Sequence, residues 1–301
     1  MGRSRNIQRL GPTVFRGAVA LLALALLVEM PARADTASSL TFRIGGEVRE
    51  VRSLAQLREI SHASEVKVFE PYEAAPVSFQ GVPLNSVLDA IYGEGWRTEE
   101  EVLLTCRDGY QPSFPVSRLL AYNAWLAFDR NDDKGFSVDK VERGELRRVD
   151  LSPFYLVWDN LEDAELRDQG DYGWPYQLVG VDLINAADRF PNMTPPATSS
   201  PQVMTGYQAF RVHCTRCHAI NGEGGTIGPE LNSPINPVEF RSHDWLRQWI
   251  DDPASLVPTA RMPRLNPKLT ERDRVIEDLL AYLVEIANHK TTAVTSPEDA
   301  S

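Results

Sequence analysis

The sequence predicts a multidomain protein in which a β-rich α/β module is followed by an all-α one. Three observations carry that expectation. Before residue 190 the apolar runs are short, rich in β-branched residues and separated by Gly- and Pro-marked turns. Residues 191–201 read PNMTPPATSSP, and four prolines in eleven positions cannot sustain a helix or a central strand. After that stretch the apolar spacing becomes helical. A length of 301 residues suits two domains.

Residues 1–34 stand apart from the fold. Arg3, Arg5, Arg9 and Arg16 precede an uncharged run, 17–28, and Ala32-Arg33-Ala34 supplies the small residues of a cleavage site. A basic start, a short apolar core and an A-x-A end describe a secretory signal peptide, cleaved before Asp35. The apolar run falls short of the roughly 20 residues needed to span a bilayer. Left uncleaved, the segment would give an anchored form. The arginines are separated, so the twin-arginine signal of folded export is missing, and the chain is expected to reach the periplasm unfolded. A cofactor would then be acquired outside the cytoplasm.

Residues 35–190 form the predicted front domain. A hairpin is expected to turn at Gly45-Gly46, a short helix to cover 54–60, and strands to cover 66–69, 102–106 and 154–158. Helical spacing marks 84–92 and 116–128. Residues 191–201 are the expected linker, 202–290 the helical domain and 291–301 a flexible tail. Within the helical domain, helices are expected over 203–214, 244–250 and 270–287. Thr270 is the N-cap candidate of the last, with an apolar stripe through Val275, Ile276, Leu279, Leu280, Leu283 and Ile286.

Without residues 1–34 the chain has 26 basic and 41 acidic side chains, a formal charge of −15, of which −12 falls on residues 35–199. An acidic front half argues against nucleic acid and anionic membranes as partners. Solubility explains the acidity as well as docking does. No segment after residue 34 is apolar enough for a membrane span. Three cysteines, Cys106, Cys214 and Cys217, are too few for a disulfide framework.

Cys214-Thr215-Arg216-Cys217-His218 is a C-x-x-C-H sequence, the attachment motif of c-type haem. Two thiols three residues apart on a turn can each add to one vinyl group at the porphyrin edge, and the adjoining histidine is carried under the iron. Zinc would want four ligands in a structural site, and no second cysteine pair exists. The expected cofactor is one covalently bound haem c with His218 as proximal axial ligand. Met262, in Arg261-Met262-Pro263, is the favoured distal ligand; a thioether suits low-spin iron and raises its potential. His243, His213, Met204 and an open position remain as alternatives.

From these residues outward, 200–290 resembles a class I cytochrome c domain. Gly206-Tyr207-Gln208-Ala209-Phe210 resembles the family's helix before the haem motif, and Tyr282-Leu283 the aromatic-aliphatic pair on the helix facing it. Gly228-Pro229-Glu230-Leu231 is similar to the loop whose proline carbonyl orients the haem histidine. The resemblance therefore implies that Pro229 holds His218, that Tyr282 packs the domain, and that redox proteins are its partners. With both axial positions filled by His218 and Met262, iron would have no place for a substrate.

Residues 40–190 resemble the molybdopterin-binding domain of the sulfite oxidase family. The likeness rests on 79–84 (FQGVPL), 105–110 (TCRDGY), 153–158 (PFYLVW) and 174–176 (WPY). It implies a pterin-held molybdenum with a haem partner. The family's metal-binding cysteine belongs upstream of the Gly-Val-x-Leu segment, where this chain has Val66-Lys67-Val68-Phe69-Glu70-Pro71-Tyr72-Glu73 and no cysteine. That departure, the acidic charge and unfolded export argue against molybdopterin. Cys106 reads as a buried small side chain, and Glu70, Tyr72 and Glu73 as a solvated loop. Residues 129–135 (DRNDDKG) miss the EF-hand pattern, with glycine one place late and Lys140 where a glutamate belongs. Trp158, Trp174 and Tyr176 read as core packing. The expected function is a periplasmic monohaem electron carrier whose front domain serves docking or binding, with no catalytic residues of its own. Two rivals remain: a haem-containing molybdopterin dehydrogenase of sulfite oxidase type, and a redox-dependent binding or sensing module.

Overall fold

In the computed structural model the hairpin expected at Gly45-Gly46 joins β1 (Ser39–Ile44) to β2 (Glu47–Ser53). The two glycines have φ of 58° and 93°, where a side chain would be strained. The structure describes residues 1–2, 38–142, 144–169 and 173–291. Nearly all of the proposed leader and of the proposed tail lies outside them.

A capping box of Ser53 and Gln56 starts α1 (Leu54–Ile60). β3 (Ser64–Glu70) and β4 (Ala75–Pro83) follow, then α2 (Leu84–Tyr92), a 3₁₀ turn and β5 (Glu101–Cys106). β6 (Ser113–Pro115) leads into α3 (Val116–Ala121), which stops at Tyr122. The chain then extends as β7 (Ala124–Arg130), so the helix expected over 116–128 is only half helix. Sheet pairing overrides helical spacing there: Ala124 and Leu126 bury on the period of two, with β4 on one side and β10 on the other. β8 (Ser137–Glu142) and β9 (Glu145–Asp150) pair alone. β10 (Tyr155–Trp158), α4 (Ala164–Asp168), β11 (Leu178–Ile184) and α5 (Ala186–Arg189) complete the β-rich region.

Its strands form a five-stranded sheet, β2-β1-β11-β5-β6, and a four-stranded sheet, β10-β7-β4-β3. Only the β1–β11 pairing in these is parallel. Phe42, Phe79, Val82, Leu104, Tyr155, Trp158 and Val181 belong to one continuous core. Trp158 and Trp174 are buried in it, and Tyr176 packs against it, as expected.

The helical region comprises α6 (Pro201–His213), the short pair β12 (Ala219–Ile220) and β13 (Glu223–Gly224), α7 (His243–Asp251), α8 (Pro253–Leu256) and α9 (Arg272–Ile286). Ser200 and Ser242 cap α6 and α7 through their hydroxyls. Thr270 does not cap α9. Glu271 takes the N-cap position with φ 51°, and Arg272, held by the carbonyls of Leu265 and Asp251, begins the helix.

Residues 191–200 run as turns, yet Met193 within them is completely buried. It belongs to a second core with Tyr207, Phe210, Leu246, Leu279, Tyr282 and Ile286, and Leu103 of β5 and Ile184 of β11 join it. The five-stranded sheet thus lends side chains to the helical region, and the described residues after Ala34 belong to one compact unit. Among the described residues no helix is long and apolar enough to cross a membrane.

Candidate functional site

The C-x-x-C-H residues leave the end of α6 as a tight turn. Cys214 is the helix's C-cap, its amide donating to the Phe210 carbonyl at 2.8 Å. The Cys214 carbonyl then accepts from the amides of Cys217 at 3.0 Å and His218 at 2.9 Å. One turn therefore carries both thiols and delivers the histidine directly after them. Both cysteines are free and half-buried. Burial pushes the Cys214 thiol up to about 12 against the opposing pull of the Arg216 guanidinium, and raises Cys217 likewise, so both remain protonated near neutral pH.

His218 is oriented from one side. Its Nδ1 lies 2.8 Å from the Pro229 carbonyl, which can only accept, so the proton sits on Nδ1 and the Nε2 lone pair is free. Burial lowers the ring's basicity while the Pro229 bond works against that, which favours the neutral ligand form. Gly228 lies flat against the ring: a Cβ there would meet Cε1 at 2.3 Å, Nδ1 at 2.5 Å and Nε2 at 2.8 Å.

Two polar devices fix the Pro229 loop, and sequence reading missed both. The Glu230 carboxylate accepts from the backbone amides of Asn221, Gly222, Asn232 and Ser233 at 2.8–3.2 Å. Behind it runs a ladder of buried asparagines. The Asn236 side-chain amide donates to Asn232 Oδ1 at 3.0 Å and to the Leu283 carbonyl at 3.1 Å. Asn232 donates to Asn221 Oδ1 and to the Ile286 carbonyl, both at 2.9 Å. The ladder gives the Leu283 and Ile286 carbonyls a second donor beside the Ala287 and His289 amides, and joins the end of α9 to the histidine's loop. Asparagines in a loop look like turn residues until a helix end is known to lie beside them.

The other side of the frame is the contact between α6 and α9. Gly206 permits it: a Cβ would fall 1.8 Å from the Asp278 carbonyl oxygen. Tyr282, fully buried, packs its ring 5.7 Å from Tyr207 and 5.2 Å from Phe210, and its hydroxyl donates to the Met193 carbonyl at 2.7 Å.

Met262 lies half-buried on an irregular segment between α8 and α9. Of the alternatives, His243 is exposed at the start of α7 and paired with Glu277 at 3.0 Å. His213 sits in the last turn of α6, its basicity lowered to about 4 by burial and then by Arg216. Met204 is on α6 itself. Ile227, Ile235, Phe240 and Val257, all between His218 and Met262 in sequence, leave 40–56% of their surfaces exposed. A neutral imidazole with a free Nε2, two free thiols on its own turn, a thioether on an irregular segment and outward apolar side chains together fit a covalently held haem.

The front region contributes differently from expectation. Glu70, read from sequence as part of a solvated loop, is the third inward residue of β3 after Val66 and Val68 and has 0% exposure. It accepts from the Tyr155 hydroxyl at 2.8 Å and the Glu73 amide at 2.7 Å, and burial raises its pKa. Glu73 is half-buried, with its side chain turned inward. Burial pushes it up, but a two-pronged Arg130 pair at 2.8 and 2.9 Å, the Asp139 amide and Lys134 together hold it down at about 2. Arg130 also binds Asp132, so the 129–135 stretch is occupied by ion pairs. Cys106, 3% exposed in the core, offers no sulfur outward.

A second feature invisible in sequence is the turn after β5. The Gln111 amide donates to the Arg216 carbonyl at 2.8 Å, the Gly109 carbonyl accepts from Thr226 at 3.1 Å, and Arg216 donates to the Tyr110 hydroxyl at 3.3 Å. Glu101 of β5 also pairs with Arg211 of α6.

No curated protein matches the chain. The cytochrome c family model matches residues 203–287, the stretch from the start of α6 to the end of α9. The C-terminal part of this protein is therefore a cytochrome c domain, a family that implies covalently bound haem c and electron transfer between redox partners.

Proposed function

We propose that the protein is an exported, periplasmic monohaem c-type cytochrome that passes single electrons between redox proteins. The observation that carries this reading is the Nδ1–H bond from His218 to Pro229 beside a free thiol pair. It supports His218 as proximal ligand, Cys214 and Cys217 as the two points of attachment and Pro229 as the residue that orients His218; Met262, half-buried on the irregular segment before α9, is the proposed distal ligand. Bound there, haem would supply a reversible one-electron couple. The chain's own work is to hold the imidazole in one tautomer and one orientation, and to keep the surrounding backbone fixed as charge comes and goes.

The front domain, 35–190, is proposed as a module of sulfite-oxidase-like descent that now serves docking or binding. Cys106 turns into the core and the stretch 66–73, where the family's metal-binding cysteine belongs, carries none, so these residues do not fit a pterin-held molybdenum.

Metal analysis of the protein expressed to the periplasm tests the reading. One iron and no molybdenum per chain, with haem remaining on the polypeptide after denaturation, is the expected result. One molybdenum beside the iron would make the front domain an active site and overturn its assignment.

A further inference from the structure

The attachment turn is gripped from two directions. On one side the glycine-rich segment 224–228 lies against it: Gly225 donates to the Thr215 carbonyl and Gly228 to the Cys217 carbonyl, both at 2.7 Å. A Cβ at Gly225 would meet the Arg216 oxygen at 2.3 Å, so the two strands of chain are in direct backbone contact. The front domain's turn, 108–111, provides the second grip. Its Gln111 amide holds the Arg216 carbonyl, and its Gly109 carbonyl holds the Thr226 amide. One turn thus bonds to both layers, the layer bearing Cys217 and His218 and the layer leading to Pro229. Gly109 has φ 89°, and a Cβ on it would come within 2.1 Å of Thr226 Oγ1, so nothing larger than glycine seats there without displacement.

We infer that the 108–111 turn is a clamp through which the front domain positions His218 and shields its attachment turn from water, making Tyr110, Gly109 and Gln111 positioning residues for electron transfer. The inference rests on the proposed haem attachment. Iron gains a positive charge on oxidation, and water favours the more charged state. Covering the turn therefore favours the reduced form, in keeping with burial as a determinant of haem potential. Linkage makes the effect reciprocal: if the clamp raises the potential, oxidation loosens the clamp. The front domain would then be informed of the redox state through backbone bonds alone.

The test uses the full, haem-loaded chain and compares wild type with Tyr110→Ala, Gly109→Ala and the conservative Tyr110→Phe. Two quantities are read, the midpoint potential and the hydrogen-exchange rates of the Gln111 and Thr226 amides in each redox state. Tyr110→Ala and Gly109→Ala are expected to speed exchange at both amides. They should also shift the oxidised-to-reduced balance up to tenfold toward oxidised, a fall of up to about 59 mV for one electron. Tyr110→Phe keeps the ring and should lie between them and wild type. In the wild type both amides should exchange faster when oxidised. Faster exchange with an unmoved potential overturns the inference, as does a potential shift with unchanged exchange. If the two disruptive variants fail to load haem, Tyr110→Phe and the wild-type comparison between redox states decide it. A wild-type chain without covalent haem would instead refute the proposed function.

Discussion

Substituting Gly228 by alanine tests the proposed iron-ligand geometry through one methyl group. Gly228 does not need a left-handed backbone, so alanine brings no conformational strain of its own. The added Cβ would lie 2.3 to 2.8 Å from three atoms of the His218 ring, where ordinary contact begins near 3.4 Å. Either the ring or the loop must give by about 1 Å. The Nδ1–Pro229 bond of 2.8 Å cannot survive such a shift in its present form. Losing it costs about 1 kcal/mol of folding stability, and inserting a methyl into a packed site adds about 1–3 kcal/mol. Partners that orient a metal's histidine typically matter by about 10- to 100-fold in metal affinity or activity.

The Gly228→Ala protein should mature in lower yield, unfold at lower temperature and show a displaced midpoint potential. Gly95→Ala, a glycine with open space around it, serves as the matched control. A Gly228→Ala holoprotein that keeps both its potential and its melting temperature would refute the geometry from which these figures are worked.

Three further outcomes are expected. Met262→Ala should abolish the sulfur-to-iron absorption band and lower the potential, and an unchanged spectrum would remove Met262 as ligand. Asn232→Ala removes the side-chain donor to the Ile286 carbonyl and to Asn221 Oδ1, which keep the His289 and Thr291 amides, so the two lost bonds should cost about 1–2 kcal/mol in chemical denaturation; a change no larger than that of a surface substitution counts against the ladder. The two front-domain glutamates should respond to pH with opposite signs. The depressed pKa of Glu73, about 2 against 4.5, stabilises the fold by about 3 kcal/mol above the ordinary carboxylate range, and this contribution fades as pH falls toward 2. The raised pKa of Glu70 means that the fold favours its neutral form, so Glu70→Gln should gain stability over wild type as pH rises through the folded-state value. Denaturation curves from pH 3 to pH 8 showing the same sign for Glu73→Gln and Glu70→Gln would refute this assignment.

What sequence made legible was whatever local chemistry or period determines. The C-x-x-C-H spacing needs no tertiary context, and the helix over 84–92 and the hairpin at Gly45-Gly46 appear as expected. Failures came where a distant partner decides. Trp125, Leu126 and Phe128 continue a helical period after Leu119, but β4 and β10 claim them as a strand. Glu70 looked like part of a polar turn because its neighbours Pro71, Tyr72 and Glu73 do. Its inward position follows from alternation with Val66 and Val68, a period that a charged residue at the end of a strand does not advertise. Glu230, the asparagine ladder and the grip of Gln111 on Arg216 had no local signal, because each bonds to backbone far away in the chain.

These long-range bonds bear on why the site suits one-electron chemistry. A carrier works best when its surroundings need little rearrangement as the charge changes, and dipoles already fixed in place meet that need without reorganising at the moment of transfer. Around His218 the fixed groups are backbone amides and carbonyls, a half-buried carboxylate held by four amides, and buried side-chain amides. Glycines at 206, 225 and 228 let these elements touch at backbone distance, leaving little slack for the loops to shift. The front domain adds the last constraint through Gly109 and Gln111. Rigidity at the proposed iron ligand is therefore shared between both halves of the chain, which gives a physical reason for fusing a β-rich module to a cytochrome domain even if that module binds no cofactor of its own.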